Sequence, residues 1–162
     1  MKVLWFEVST PARYKDNGIV IGGWQDSLER IVRKCPEIEL TISFKYTGEG
    51  EKKKIDGVTY YPMQLNYSVL DILRNRISWD VEAKHLEKEM QNVVNDVKPD
   101  IIQVFGTEWP YGRIAKFTDI PVVVHIMGAL VPYMNAKYPP GYSFFDIWRC
   151  NNIFSLKRTI KS

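Results

Sequence analysis

The chain has 162 residues, of which 45% are hydrophobic, 13% aromatic and 25% charged, a composition that excludes intrinsic disorder and provides for one domain-sized core. Twenty-two Lys and Arg against nineteen Asp and Glu leave a formal charge of +3, well short of the one-sided positive field expected of a nucleic-acid binder. The two cysteines, Cys35 and Cys150, make neither a disulfide framework nor a zinc cluster, and no run approaches the roughly 20 apolar residues that span a bilayer.

Lys2 to Val8 is apolar and rich in β-formers, broken only at Glu7, so it reads as a buried strand and not as a secretory signal. A cytoplasmic setting is expected. A loop with Pro11, Gly18 and the pair Gly22-Gly23 follows, and from there Trp24, Leu28, Ile31 and Val32 recur at helical spacing until Pro36. Ile38 to Lys45 alternates apolar and polar residues, which predicts a strand with one exposed face or edge flanking the first strand. Asp56-Gly57, set between Lys54-Ile55 and Val58 to Tyr61, is a hairpin signal, and Lys52 to Lys54 either solvate that hairpin or bind a phosphate.

Val69, Ile72, Leu73 and Ile77 suggest a short helix. Leu86, Met90, Val93 and Val97 then line one face of a longer helix that begins near Asp80, its expected N-cap. Pro99-Asp100 ends it, and Ile101 to Phe105 has the continuous apolar character of a strand buried on both faces. Tyr111 to Phe117 allows only a short crossover helix before Pro121 similarly introduces Val122 to Ile126, a second run of the apolar kind that buried parallel strands show. From Phe144 onwards Phe145, Trp148, Ile153, Leu156 and Ile160 suggest a last amphipathic helix that runs on without a terminator. The order of elements predicts an α/β fold: a Rossmann-like, doubly wound, mainly parallel sheet with helices on both faces.

In such sheets ligands gather at the carboxyl ends of the strands, here 9–23, 106–111 and 127–138. Gly22-Gly23 before a helix leaves backbone N–H groups free for an anion, typically phosphate, or simply forms the turn that starts the helix. A P-loop is excluded because Trp24-Gln25 stand where Lys and Ser or Thr are required, and no G-x-G-x-x-G fingerprint is present. There is no G-x-S-x-G elbow. His85 lies in a charged, solvent-facing stretch and His125 inside a strand, as a core histidine or a ligand, so the pair makes no zinc site. Nine Tyr and five Trp, with Trp109, Tyr111, Tyr133, Tyr138 and Tyr142 in predicted loops, suit the apolar patches and hydroxyls of sugar rings, or fold over the sheet as core. Glu108 either accepts hydrogen bonds from substrate hydroxyls or caps the helix after it.

Three segments carry a resemblance: MKVLWFEV followed by Gly22-Gly23 and a helix with Leu28, then KPDIIQVFGTEWPYG, then IPVVVHIMGALVPYMNAKYPPGYS. Together they resemble the N-terminal domain of GT-B-fold glycosyltransferases of the family 4 type, found in bacterial capsule, O-antigen and other polysaccharide pathways. The resemblance implies that residues 1–162 are an acceptor-binding domain whose C-terminal, donor-binding domain lies outside the chain, together with the paired-glutamate motif used around the donor. The implied activity is hexosyl transfer, with retention, from a sugar nucleotide to a saccharide or lipid-linked acceptor, without metal or other cofactor and without transfer by this domain alone. Gly22 and Gly23 would approach the donor diphosphate; Thr107, Glu108, Trp109, Met127, Gly128 and Tyr138 would line the acceptor side; His125 and Glu108 are the catalytic candidates.

Departures from the family pattern stand beside these matches. Met127 occupies the place where many members have histidine, and Gln103 and Phe105 also replace frequent histidines; His125, two residues before Met127, would face the same side. The basic residues Arg149, Lys157, Arg158 and Lys161 on the last helix suggest a peripheral contact with the inner face of the membrane, or a solvated face of a core helix. Two other classes fit the composition: a non-catalytic nucleotide- or carbohydrate-binding module, and an assembly protein with an aromatic partner surface.

Overall fold

The computed structural model describes residues 1–15, 23–65, 68, 70–71, 80–107, 109–126, 141, 143 and 145. The chain divides into two compact units, Met1–Met127 and Gly128–Ser162, and the elements below belong to the first. They are β1 (Lys2–Glu7), α1 (Trp24–Val32), β2 (Glu39–Tyr46), β3 (Lys53–Ile55), β4 (Val58–Gln64), α2 (Asp80–Val97), β5 (Ile101–Phe105), a 3-10 helix (Pro110–Lys116) and β6 (Val122–His125). The strands form one six-stranded sheet in the order β3-β4-β2-β1-β5-β6. All neighbours are parallel except the β3–β4 hairpin. This is the Rossmann-like α/β architecture that the element order predicts.

Alternation along the strands divides the core into two layers. Leu4, Phe6, Ile102 and Val104 face one side, where they meet Leu86, Met90 and Val93 of α2 and Tyr111 and Ile114 of the 3-10 helix. Val3, Trp5, Leu40, Ile42, Phe44, Tyr60 and Phe105 face the other, under Leu28 and Val32 of α1 and the ring of Tyr14. The hairpin turns at Asp56 and Gly57, with φ of 48° and 88°, the left-handed pair that matches the twist of a two-residue hairpin.

Three expectations are corrected. β2 has no exposed face: Leu40 to Phe44 are all buried, because the strand lies inside the sheet between β1 and β4, with α1 over its Leu40, Ile42 and Phe44 face. The polar Ser43 is accommodated by donating its hydroxyl to the Tyr61 carbonyl at 2.9 Å. β6 is the opposite case, an edge strand with Val123, Val124 and Ile126 exposed, although its sequence matches that of a buried strand. In α1 the inward set is Leu28 and Val32 with Glu29, whereas Ile31 turns to solvent. Most of the expected helices around 69–77 and from 144 onwards lies outside the described residues; Asp80, the expected N-cap of α2, is the first described residue of that helix, and the residues directly before it lie outside the described ones.

Candidate functional site at the carboxyl edge

Parallel order brings the ends of β1, β2, β4, β5 and β6 to one edge of the sheet, next to the start of α1. α1 opens at Gly23, an extended N-cap (φ −71°, ψ −169°) with no side-chain hydrogen bond to the first turn. Nothing stands within 4 Å of where a Gly23 Cβ would lie. The first-turn N–H groups therefore carry no side-chain cap from that residue. The one acid of this turn, Asp26, accepts from the Ala12 N–H at 3.3 Å, and Ser9 Oγ meets Gln25 Oε1 at 3.3 Å. These two contacts fasten the start of the first loop to the first turn of α1.

Beside Gly23, Trp24 is 43% exposed and stacks on His125, with ring centroids 5.3 Å apart and 29° between planes. Phe105, in register with His125, supports the pair from below. Its ring stands edge-on to Trp24 at 5.2 Å and to Trp5 at 5.1 Å. Gly106 N–H donates to the His125 carbonyl at 2.9 Å, holding the two strand ends together. His125 is thus an exposed, ring-stacked residue of the edge and not a core histidine. The reason is the position of β6 at the sheet margin, where no sixth parallel strand covers it among the described residues.

The end of β1 contributes Glu7, which points to the α1 side and is 3% exposed. Burial, with Asp26 and then Glu29 adding their negative charge, pushes its pKa up to about 8, so the carboxyl keeps its proton near neutrality. No hydrogen bond to the Glu7 side chain is present among the described residues. Glu29, 1% exposed, accepts from Tyr60 Oη at 2.7 Å and lies 3.8 Å from Arg13. Burial raises its pKa, while the Tyr60 hydrogen bond and the Arg13 charge oppose that rise. Arg13 and Arg33 both pair with Asp56.

Of the residues expected from sequence, Gly23 and His125 come together at the edge. Thr107 is exposed just after Gly106. Trp109 does not join them: it packs against the α2-side core, with Lys45 Nζ 4.3 Å from its ring centroid. Tyr111, expected in a loop, is fully buried and stacks on Phe6 at 5.7 Å. Gly22, Glu108, Met127, Gly128, Tyr138, Tyr133 and Tyr142 lie outside the described residues. Sequence reasoning did not single out Glu7, Trp24 or Phe105 as site residues. The interruption of an apolar run at its carboxyl end was the available signal for Glu7, and an aromatic residue directly after a helix-starting glycine was the signal for Trp24.

Among the described residues no group of three or more His, Cys, Asp or Glu is arranged to hold a metal ion, and no helix is long and apolar enough to cross a membrane. No protein-family model, curated protein or solved structure matches the chain.

Proposed function

We propose that the chain is the acceptor-binding lobe of a sugar-nucleotide-dependent hexosyltransferase, acting on a saccharide or lipid-linked acceptor. The observation that carries this reading is the start of α1 at Gly23, which has no side-chain cap among the described residues, set beside the exposed Trp24–His125 stack on the carboxyl edge of a parallel sheet. The first-turn N–H groups would take a donor phosphate oxygen and favour negative charge as the diphosphate leaves. A helix-end contact of this kind is worth about 0.3–1 kcal/mol at an exposed site, so it assists transfer and does not supply it alone. The Trp24 face gives a nucleoside or sugar ring an apolar platform with a polar edge, and His125 is the titratable group within reach of that platform. Transfer is expected to require a second, donor-holding lobe.

Isothermal titration with UDP-glucose, UDP-N-acetylglucosamine and GDP-mannose tests the proposal. Saturable heat with one of them, weakened about tenfold by Trp24→Ala, is the expected result. Absence of binding for all three, or binding indifferent to Trp24→Ala, contradicts it. Sugar transfer by the chain alone would overturn the requirement for a second lobe.

A further inference from the structure

The same edge carries a hollow, at the ends of β2 and β4, that lies apart from the Trp24–His125 stack. It has a volume of about 620 Å³ and is lined by residues including Tyr14, Tyr46, Gly50, Lys53 and Gln64. One wall is aromatic. The buried Tyr14 ring stands edge-on to Phe44 at 4.9 Å and to Tyr46 at 5.3 Å. The rim is the β2–β3 loop, fastened from inside by two hydrogen bonds: Gln64 Nε2 donates to the Gly50 carbonyl at 2.6 Å, and Tyr14 Oη donates to the Glu51 carbonyl at 2.9 Å. Gly50 approaches the rings so closely that a Cβ there would lie 2.7 Å from Tyr46 Cδ1 and 3.0 Å from Tyr14 Oη. The hollow is therefore formed before any ligand arrives, which spares a ligand the entropy of ordering it.

Its chemistry is mixed in a particular way. Tyr46 is half-buried, with no hydrogen-bond partner for its hydroxyl among the described residues. Lys53 Nζ lies 5.2 Å from the centroid of the Tyr14 ring, and Gln64 keeps an acceptor oxygen beyond the bond just described. Lys15 and Lys53 on the lining are balanced by Glu49 and Glu51, so no net field selects a phosphate or another small anion. An aromatic surface beside donors and acceptors of both kinds, without net charge, matches the C–H patches and hydroxyls of a pyranose ring.

We infer that this hollow is a pyranose-binding subsite, taking a hexose unit of the acceptor remote from the reacting end. Its role as an acceptor subsite rests on the transferase reading; its recognition of a sugar ring does not. Tyr46 ends β2 and His125 ends β6, three strand spacings away across β1 and β5, which is roughly 14 Å along the edge. An oligosaccharide seated on Tyr46 would extend along this edge towards the Trp24–His125 stack.

Amide chemical shifts of the chain titrated separately with methyl α-glucoside, methyl β-galactoside and N-acetylglucosamine test the inference. At least one of the three is expected to shift Tyr46, Gly50 and Gln64, and Tyr46→Ala is expected to weaken that binding about tenfold. Gly50→Ala, which displaces the Tyr46 ring, serves as a second variant and is expected to weaken it as well. No shift at these residues with any of the three sugars, or shifts that persist unchanged in both variants, overturns the subsite. A parallel titration with UDP-N-acetylglucosamine, read at Gly23, separates the two proposals: sugar shifts at Gly50 without a response at Gly23 retain a sugar site and remove the transferase reading, and the reverse removes the subsite alone.

Discussion

A carboxyl group at the end of a buried strand, faced by two more on the neighbouring helix, holds its proton far above the range of a free glutamate. Glu7 is that group, with Asp26 and Glu29 opposite it and a pKa pushed from 4.5 up to about 8. Between these two values the folded chain keeps a proton that the unfolded chain has released, so stability is fullest below about pH 4.5 and declines as pH rises towards 8. The slope is about 1.4 kcal/mol per pH unit when the group acts alone, and Glu29, whose pKa is also raised, acts in the same direction. Glu7→Gln removes one titrating group, and denaturant unfolding followed between about pH 5 and pH 8 is expected to show a shallower decline than in the wild type. An unchanged slope would mean that Glu7 is ionised in the fold. The residue also marks a limit of reading by pattern. Its place at the end of an apolar run is visible in the sequence, but the two carboxyl groups that face it come from α1, and only the packing of α1 on β1 brings them there.

At the scale of elements, periodicity within one segment was legible and position within the sheet was not. The apolar stripe of α2 and the Asp56-Gly57 turn are local patterns, and both stand as the residues imply. β2 and β6 are misread for a common reason: whether a strand is central or at the margin depends on how many neighbours it gains, which its own residues do not encode. β2 gains neighbours on both sides and buries even its serine, whereas β6 ends the sheet among the described residues and leaves Val123 and Val124 exposed. Helix faces follow the same logic. Leu86 in α2 is fully buried, while Ile31 in α1 is 63% exposed. Leu86→Ala is therefore expected to lower unfolding stability by about 2–5 kcal/mol and Ile31→Ala by no more than about 0.5 kcal/mol, as read from denaturant midpoints. Equal losses would contradict the assignment of faces.

For the molecule as a whole, the candidate site is a property of the topology. A parallel sheet places the ends of five strands and the start of α1 along one edge, and on this edge the Gly23 turn, the Trp24–His125 stack and the Tyr46 hollow stand in a row. The sequence announced the glycine turn and the histidine, but the stack between Trp24 and His125 joins residues about a hundred positions apart and exists only once β6 lies near α1. The most direct test is an amide and indole chemical-shift map of the chain with UDP-N-acetylglucosamine and, separately, GDP-mannose. Shifts with at least one of them are expected, concentrated at Gly23, Gln25 and Gly106 and at the Trp24 indole. Silence at those positions with both, or shifts gathered instead around Lys98 and Phe117 in the hollow between α2 and the 3-10 helix, would contradict the proposed function.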